Sequence, residues 1–582
     1  MLYFDAMTRL LAMLMLTLCA FAQTADTEKK KEPVPPPPPP RYDQTRALVY
    51  SQQGIVAASN YLASSVGSKI LEQGGNAIDA AIAANAITGL TQPYVNGVGG
   101  DLFAIIYEAK TGKIYGLNAS GWSPKALSIE WLKAKSVEKI DPISVHTITV
   151  PGCVGGWVAL RNRFGKLPLS ELLAPAIHYA EHGFPLSVRN ARSLAQKKFF
   201  EQAGYRETYV TLGEKPQPGD LFRNPGLAAT LRRIAENGHD GFYRSDFTRQ
   251  LVEFLQEQGG AHAYEDFAEW EPEWVEPVST TYRGWRVYEL PPNGQGIAAL
   301  SMLNIMEHFP LADYGQNSAA ALHTMIEAKK LAYADMAKYV GDPRFAKIPT
   351  EALISKQLGD KRAKLIDMQK AACDVLPSDL AETLSSIGRE TIYLSAIDKE
   401  GNIVSLIQSN SGGFGTGLVA PGAGFSFHNR GARFELEPGK PDSLEGRKRP
   451  LHTIIPAFME KDELKVGFGI MGGWNQPQAH AQFVSNVVDF GMNVQEAIEA
   501  PRFTKITFEG CDVMVEGRIG EAIRFDLARR GHQVRAVSNY NGTMGFGSAV
   551  VRDTKRKVNF AATDPRVDGA AIPEEPVYRP AP

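Results

Sequence analysis

The 582-residue sequence carries little that would mark a nucleic-acid or membrane protein. Its formal net charge is −2 with histidine neutral. Without a basic stripe, or an RRM-, zinc- or helix-turn-helix-like pattern, no nucleic-acid partner is expected. Only four cysteines occur, none in a CxxC spacing. Once a leader containing Cys19 is set aside, Cys153, Cys373 and Cys511 remain, and an odd number argues against a disulfide framework and against a structural zinc site. Long apolar runs are scarce. The one near the N-terminus, Leu10 to Ala22, is shorter than the roughly twenty residues of a membrane span, and no transmembrane segment is expected. There is no internal repeat. What is present, 44% hydrophobic and 22% charged residues, is the composition of a globular protein able to bury a large core.

The N-terminus has a basic tip ending at Arg9, the apolar run, and Ala20-Phe21-Ala22 as a small-x-small cleavage signal. This pattern predicts an export leader over residues 1–22 and a periplasmic or secreted product. A lipoprotein signal built on Cys19 is the competing reading, and bulky Leu18 stands against it. Residues 23–44 are charged and then proline-rich, as an extended spacer or an inert tail would be.

Beyond the spacer, Ile78 to Ile87 is small and apolar enough for a buried helix. The Gly-rich Asn96 to Phe103 stretch leads into a strand instead of opening a helix, so it lacks the physical basis for binding phosphate. Periodicity is mostly helical from Pro168 to Val278 and over Leu322 to Pro343, and strands dominate after Thr391. Strand pairs between helical blocks predict sheets sandwiched by helices.

One junction is odd. ETIYLSAID (Glu390 to Asp398) and IVSLIQS (Ile403 to Ser409) read as a hairpin with apolar residues on both faces, hence a buried one. The preceding Asp379 to Glu390 segment is polar and reads as an exposed linker. A threonine before a strand is ordinarily a simple β-former. At the head of a new chain, however, Thr391 would carry its own base, because a free α-amine titrates at about 7.7–8.0, against about 10.4 for a lysine.

Ten stretches in order decide between these readings: GGNAIDAAIAAN (Gly74 to Asn85), NGVGGDLF (Asn96 to Phe103), TVPGCVGGW (Thr149 to Trp157), LPPNGQG (Leu290 to Gly296), YADMAKYVGDP (Tyr333 to Pro343), TIYLSAIDKEGNIVS (Thr391 to Ser405), GFGTG (Gly413 to Gly417), RPLHTIIP (Arg449 to Pro456), MGG (Met471 to Gly473) and TDPR (Thr563 to Arg566). Together they resemble the γ-glutamyltransferase family of N-terminal-nucleophile hydrolases, from about Leu48 to Val567. The resemblance implies an α+β fold, a four-layer αββα sandwich. It also implies a precursor that cuts itself between Glu390 and Thr391 into a large subunit, residues 45–390, and a small subunit, residues 391–582, intertwined in one catalytic domain. Carried over by position, Thr391 is the nucleophile, Ser409 the hydroxyl that holds it, and Gly472 and Gly473 the oxyanion-hole pair. No cofactor or metal is called for.

The departures from the family pattern concern the substrate. Ser120 stands about where a carboxylate-binding arginine is expected, His452-Thr453 replace a Ser-Ser pair, and Ser411, beside Asn410, replaces an asparagine. Arg433 stands where an acidic residue would pair with the substrate's α-amine, and an arginine there repels an ammonium and binds a carboxylate. For Arg430 and Arg433 the alternative is a structural ion pair. These differences resemble the acylase-like branch of the family. The expected activity is cleavage of γ-glutamyl amides such as glutathione, with transfer to amino acid or peptide acceptors. The rivals are a glutaryl-type (cephalosporin-like) acylase and an exported, non-catalytic binding protein on the same scaffold.

Overall fold

The computed structural model describes residues 44–378 and 390–578. The expected leader, nearly all of the spacer and the linker from Asp379 to Arg389 lie outside the described residues. No helix among the described residues is long and apolar enough to cross a membrane.

Two seven-stranded antiparallel sheets form the centre. The first runs, in spatial order, Val49–Ser51, Val558–Thr563, Gly547–Asp553, Leu464–Ile470, Ala457–Lys461, Trp285–Glu289 and Val278–Tyr282. The second runs Ala570–Pro573, Ile55–Ala58, Glu390–Ile397, Ile403–Ser411, Asp101–Glu108, Lys113–Ala119 and Glu273–Val275. The hairpin read from the sequence is thus the middle of the second sheet.

Three apolar clusters show how the layers stack. Helices Tyr61–Glu72, Ala77–Thr91 and Leu169–His182 share one cluster with the second sheet. Helices Gly296–Met306, Ala319–Tyr339 and Gln476–Val488 share another with the first. A third cluster, including Phe103, Ile105, Tyr393, Ile407, Ile454, Phe458 and Val550, fills the space between the sheets. A sheet coated on both faces needs apolar residues at every position of its central strands, which is why the hairpin does not alternate. The result is a four-layer αββα sandwich.

The Ala77–Thr91 helix explains how these layers pack closely. Asn76 caps it in a capping box with Asp79, and its Ala80, Ala81, Ala83 and Ala84 are fully buried, so the helix backbone sits near the sheet.

The period of two along the central strands sets the site. Ile392, Leu394 and Ala396 belong to the helix-side cluster, whereas Tyr393 and Ile397 belong to the cluster between the sheets. Thr391, in phase with Tyr393, therefore faces the gap between the sheets. By the same phase Ser409 faces the gap with Ile403 and Ile407, and Asp101 with Phe103 and Ile105. Ser409 is in direct register with Asp101.

The expectation drawn from cysteine parity needs correction. Cys373 and Cys511 form a disulfide, and Cys153 is the buried free thiol. An odd count excludes complete pairing but says nothing against one bridge between residues 138 apart in sequence.

Candidate active site

Thr391 lies at a bulge. Glu390 pairs with Ser411 and Ile392 with Gln408, so Ser409 and Asn410 together oppose Thr391. Bulges re-aim a side chain at the end of a ladder. Here the Thr391 hydroxyl donates to Ser409 Oγ at 3.3 Å. Ser411, held at φ +74°, gives its backbone N–H to the same oxygen at 2.8 Å. A further donor comes from Arg430, whose NH2 reaches Ser409 Oγ at 3.0 Å and whose NH1 reaches Thr453 Oγ1 at 2.7 Å. A fully buried guanidinium therefore stands one hydroxyl away from Thr391.

The charge of Arg430 is answered by Asp101. Burial pulls the Arg430 guanidinium down to about 10, and the Asp101 carboxylate opposes that shift. Asp101 also accepts from Gly121 N at 3.1 Å and Gly152 N at 3.2 Å, and His452 Nε2 lies 2.9 Å from its other oxygen. His452 Nδ1 accepts from Ile454 N at 3.3 Å, so Nε2 carries the proton that goes to Asp101. Burial first, and Arg430 second, push His452 and His428 down to about 3. Both imidazoles are thus neutral near pH 7.

The other loops join through side-chain and backbone hydrogen bonds. The Ser120 hydroxyl donates to Asn118 Oδ1 at 2.8 Å, and Asn118 Nδ2 donates to Asn293 Oδ1 at 2.8 Å. His452 N donates to Asn293 O at 2.8 Å, and Gln295 N to His452 O at 3.1 Å. Gln295 Nε2 then bridges Thr453 O, at 2.5 Å, and Gly473 O, at 2.8 Å. Ser120, His452, Thr453 and Gly473 are by this route in one network with Arg430, Ser409 and Thr391.

Gly472 and Gly473 follow the Leu464–Ile470 strand with φ of +135° and +59°, a region that favours glycine. That strand packs on the Glu390–Ile397 strand: a Cβ at Gly469 would fall 2.4 Å from the Tyr393 ring, two residues from Thr391. Directly after the glycine pair, the Trp474 ring lies 4.5 Å from the Arg433 guanidinium. Arg433 Nε and NH2 are sealed from solvent without a partner among the described residues, as is Arg430 Nε. Burial and then Arg430 pull Arg433 well below its ordinary value, with Asp442 opposing. Neither arginine is within ion-pair distance of a carboxylate among the described residues, so the alternative of a structural ion pair is not what the fold contains.

Asn410 is the expected site residue that the structure does not bring in. It points to the helix side, with Nδ2 donating to Pro93 O at 3.3 Å and Oδ1 under Gly100. Asp101 and Asn293 are the site residues absent from the sequence expectation, and the contact of Arg430 with Ser409 is likewise shown only by the fold. Asp101 and Asn293 lie within the motifs NGVGGDLF and LPPNGQG, but only the fold reveals their partners. His323, Glu327 and His532 form a close buried group elsewhere. The Lys330 ammonium sits 2.7 Å from Glu327 Oε1 there.

Comparison with known proteins agrees with this fold. The family model described as gamma-glutamyltranspeptidase matches residues 63–574. The chain is 35% identical over 532 residues to the glutathione hydrolase-like YwrD proenzyme of Bacillus subtilis, covering 90% of this chain and 99% of that one. It is 32% identical to the oxamate amidohydrolase proenzyme of Klebsiella pneumoniae, covering 90% and 98%. Among solved structures it is similar to a cephalosporin acylase from Bacillus halodurans, with 40% identity, a TM-score of 0.85, and coverage of 93% of this chain and 99% of that one. A buried threonine at the head of a central strand of an αββα sandwich, and a family match over most of the chain, lead to one conclusion: the protein belongs to the gamma-glutamyltranspeptidase family of N-terminal-nucleophile hydrolases.

Proposed function

We propose that the chain is a self-processing amidohydrolase that cleaves side-chain amides of short acids bearing a second carboxylate. The observation that carries this reading is the Thr391–Ser409–Arg430 arrangement at the bulge. In the precursor, Thr391 Oγ1 attacks the Glu390 carbonyl carbon, the acyl group passes from nitrogen to oxygen, and water opens the ester. The products are a carboxylate at Glu390 and a free amine on Thr391. That amine is then the base: it takes the hydroxyl proton as Thr391 attacks a substrate amide and returns it to the leaving amine. The Gly472 and Gly473 N–H groups stabilise the oxyanion. Water, or an acceptor amine, releases the acyl group.

Arg433 sets the acyl preference. Its buried, unpartnered N–H groups beside Trp474 suit a carboxylate, and an α-ammonium placed there would meet two guanidinium groups. This favours glutaryl-type acyl groups over γ-glutamyl ones such as that of glutathione. The test is kcat/KM for a glutaryl and a γ-glutamyl anilide on the same enzyme. A preference of about tenfold or more for glutaryl, the size of one charge-assisted contact, is expected. A γ-glutamyl preference of that size overturns the Arg433 assignment, and no turnover of either, with an uncut chain, favours a binding protein. The leader-like pattern of residues 1–22 and the disulfide support a periplasmic or secreted location. Secretion in the host with residues 1–22 removed is the matching check.

A further inference from the structure

The Cys373–Cys511 disulfide spans the Glu390–Thr391 bond: Cys373 precedes it and Cys511 follows it. We propose that this disulfide is a covalent tether between the two products of self-cleavage, so that the processed protein is one cross-linked molecule and not a non-covalent pair. The proposal rests on cleavage at Glu390–Thr391.

The bridge sits in a docked segment. Gly510 N donates to Cys373 O at 3.0 Å and Ala371 N to Arg530 O at 2.7 Å. Lys330 Nζ donates to Ala372 O at 2.8 Å, and Glu327, which accepts from Lys330, also accepts from Ala372 N at 3.1 Å. Farther along, the backbone N–H and hydroxyl of Ser378 both donate to Asp335 Oδ1 at 2.8 Å. The chain before the scissile bond is therefore fastened up to Ser378 on the helix layer of the first sheet, while Cys511 leads into the Asp512–Glu516 strand. Before cleavage, the disulfide closes a loop in one chain and acts through the unfolded state. After cleavage, the same bond makes the meeting of two chains intramolecular, and refolding no longer depends on protein concentration.

Formation of the bridge removes two electrons and two protons from the two thiols. The acceptor is an external disulfide, of an oxidoreductase or a small molecule, which leaves as two thiols through a mixed disulfide. This is chemistry of an oxidising compartment.

The test is a denaturing gel of thiol-alkylated, full-length-expressed protein run with and without reductant. The expected result is one band without reductant and two with it, and two bands in both lanes for Cys373→Ser. In a second measurement, activity recovered after dilution from urea should be independent of protein concentration for the wild type. For Cys373→Ser it should fall several-fold when the protein is diluted about tenfold, as for any two-chain assembly. A cut wild-type chain that separates without reductant overturns the tether alone. A single band in every lane, with an intact Glu390–Thr391 peptide by mass spectrometry, overturns the cleavage reading and the tether with it.

Discussion

Replacing Arg430 with glutamine isolates the group that distinguishes this site most clearly. Arg430 is fully buried and holds two hydroxyls, Ser409 at 3.0 Å and Thr453 at 2.7 Å. A hydrogen bond from a charged donor contributes about 1.5–3 kcal/mol. A glutamine amide can serve one hydroxyl but not both, so loss of the Ser409 contact lowers kcat by about 10- to 150-fold at 1.36 kcal/mol per decade. The cation also disfavours a second positive charge nearby, so its removal moves the ascending limb of the pH–rate profile, the Thr391 α-amine, to higher pH. It also removes one of the three pressures, after burial and beside His428, that keep His452 neutral. The assay is kcat on the preferred anilide from pH 5 to 9, with a thermal melt to confirm folding, and Arg430→Lys as the conservative variant recovering part of the loss. A folded Arg430→Gln enzyme with kcat within about threefold of wild type, less than the weakest such bond, and an unmoved pH profile refutes the assignment.

Other predictions concern the Gly472-Gly473 turn, the proposed oxyanion donors, and the buried histidines. Gly472→Ala places a side chain at φ +135°, with its Cβ 3.1 Å from Asn475 Cβ; strain of about 1–3 kcal/mol and a displaced donor should lower kcat about 100-fold, and steady-state kinetics beside a melt separates the two effects. His428, His452 and His480 are all pushed down to about 3, chiefly by burial. Their unfolded values lie near 6.5, so between pH 6.5 and 3 the unfolded chain binds more protons. Stability is therefore unaffected by these groups above pH 6.5 and lost below it, by up to about 1.36 kcal/mol per unit for each. Urea midpoints measured from pH 7.5 to 4 should stay level down to about pH 6.5 and fall below it.

Much of this fold was readable because it rests on local pattern. Apolar residues on both faces of Thr391 to Ile397 and Ile403 to Ile407 required a strand coated on both sides, and that is where the hairpin lies. The phase of the strand also separates Ser409 from Asn410, whose amide points to the helix side; a period of two counted along the same strand from Ile403 and Ile407 shows this. What local pattern could not show was return in space. The loop bearing Arg430 comes back over Ser409, and Asp101 becomes its counter-charge only because two strands pair in one register. The disulfide was hidden for a related reason, since parity counts thiols and says nothing of which two are brought together.

Intact mass and N-terminal sequencing of the smaller fragment, for the wild type and for Thr391→Ala, test the central claim most directly. The wild type should yield a small fragment beginning at Thr391 and a larger one ending at Glu390, while Thr391→Ala stays a single chain with a native melt. A wild type that remains whole, or a fragment that begins at any other residue, contradicts the assignment of Thr391 as the nucleophile.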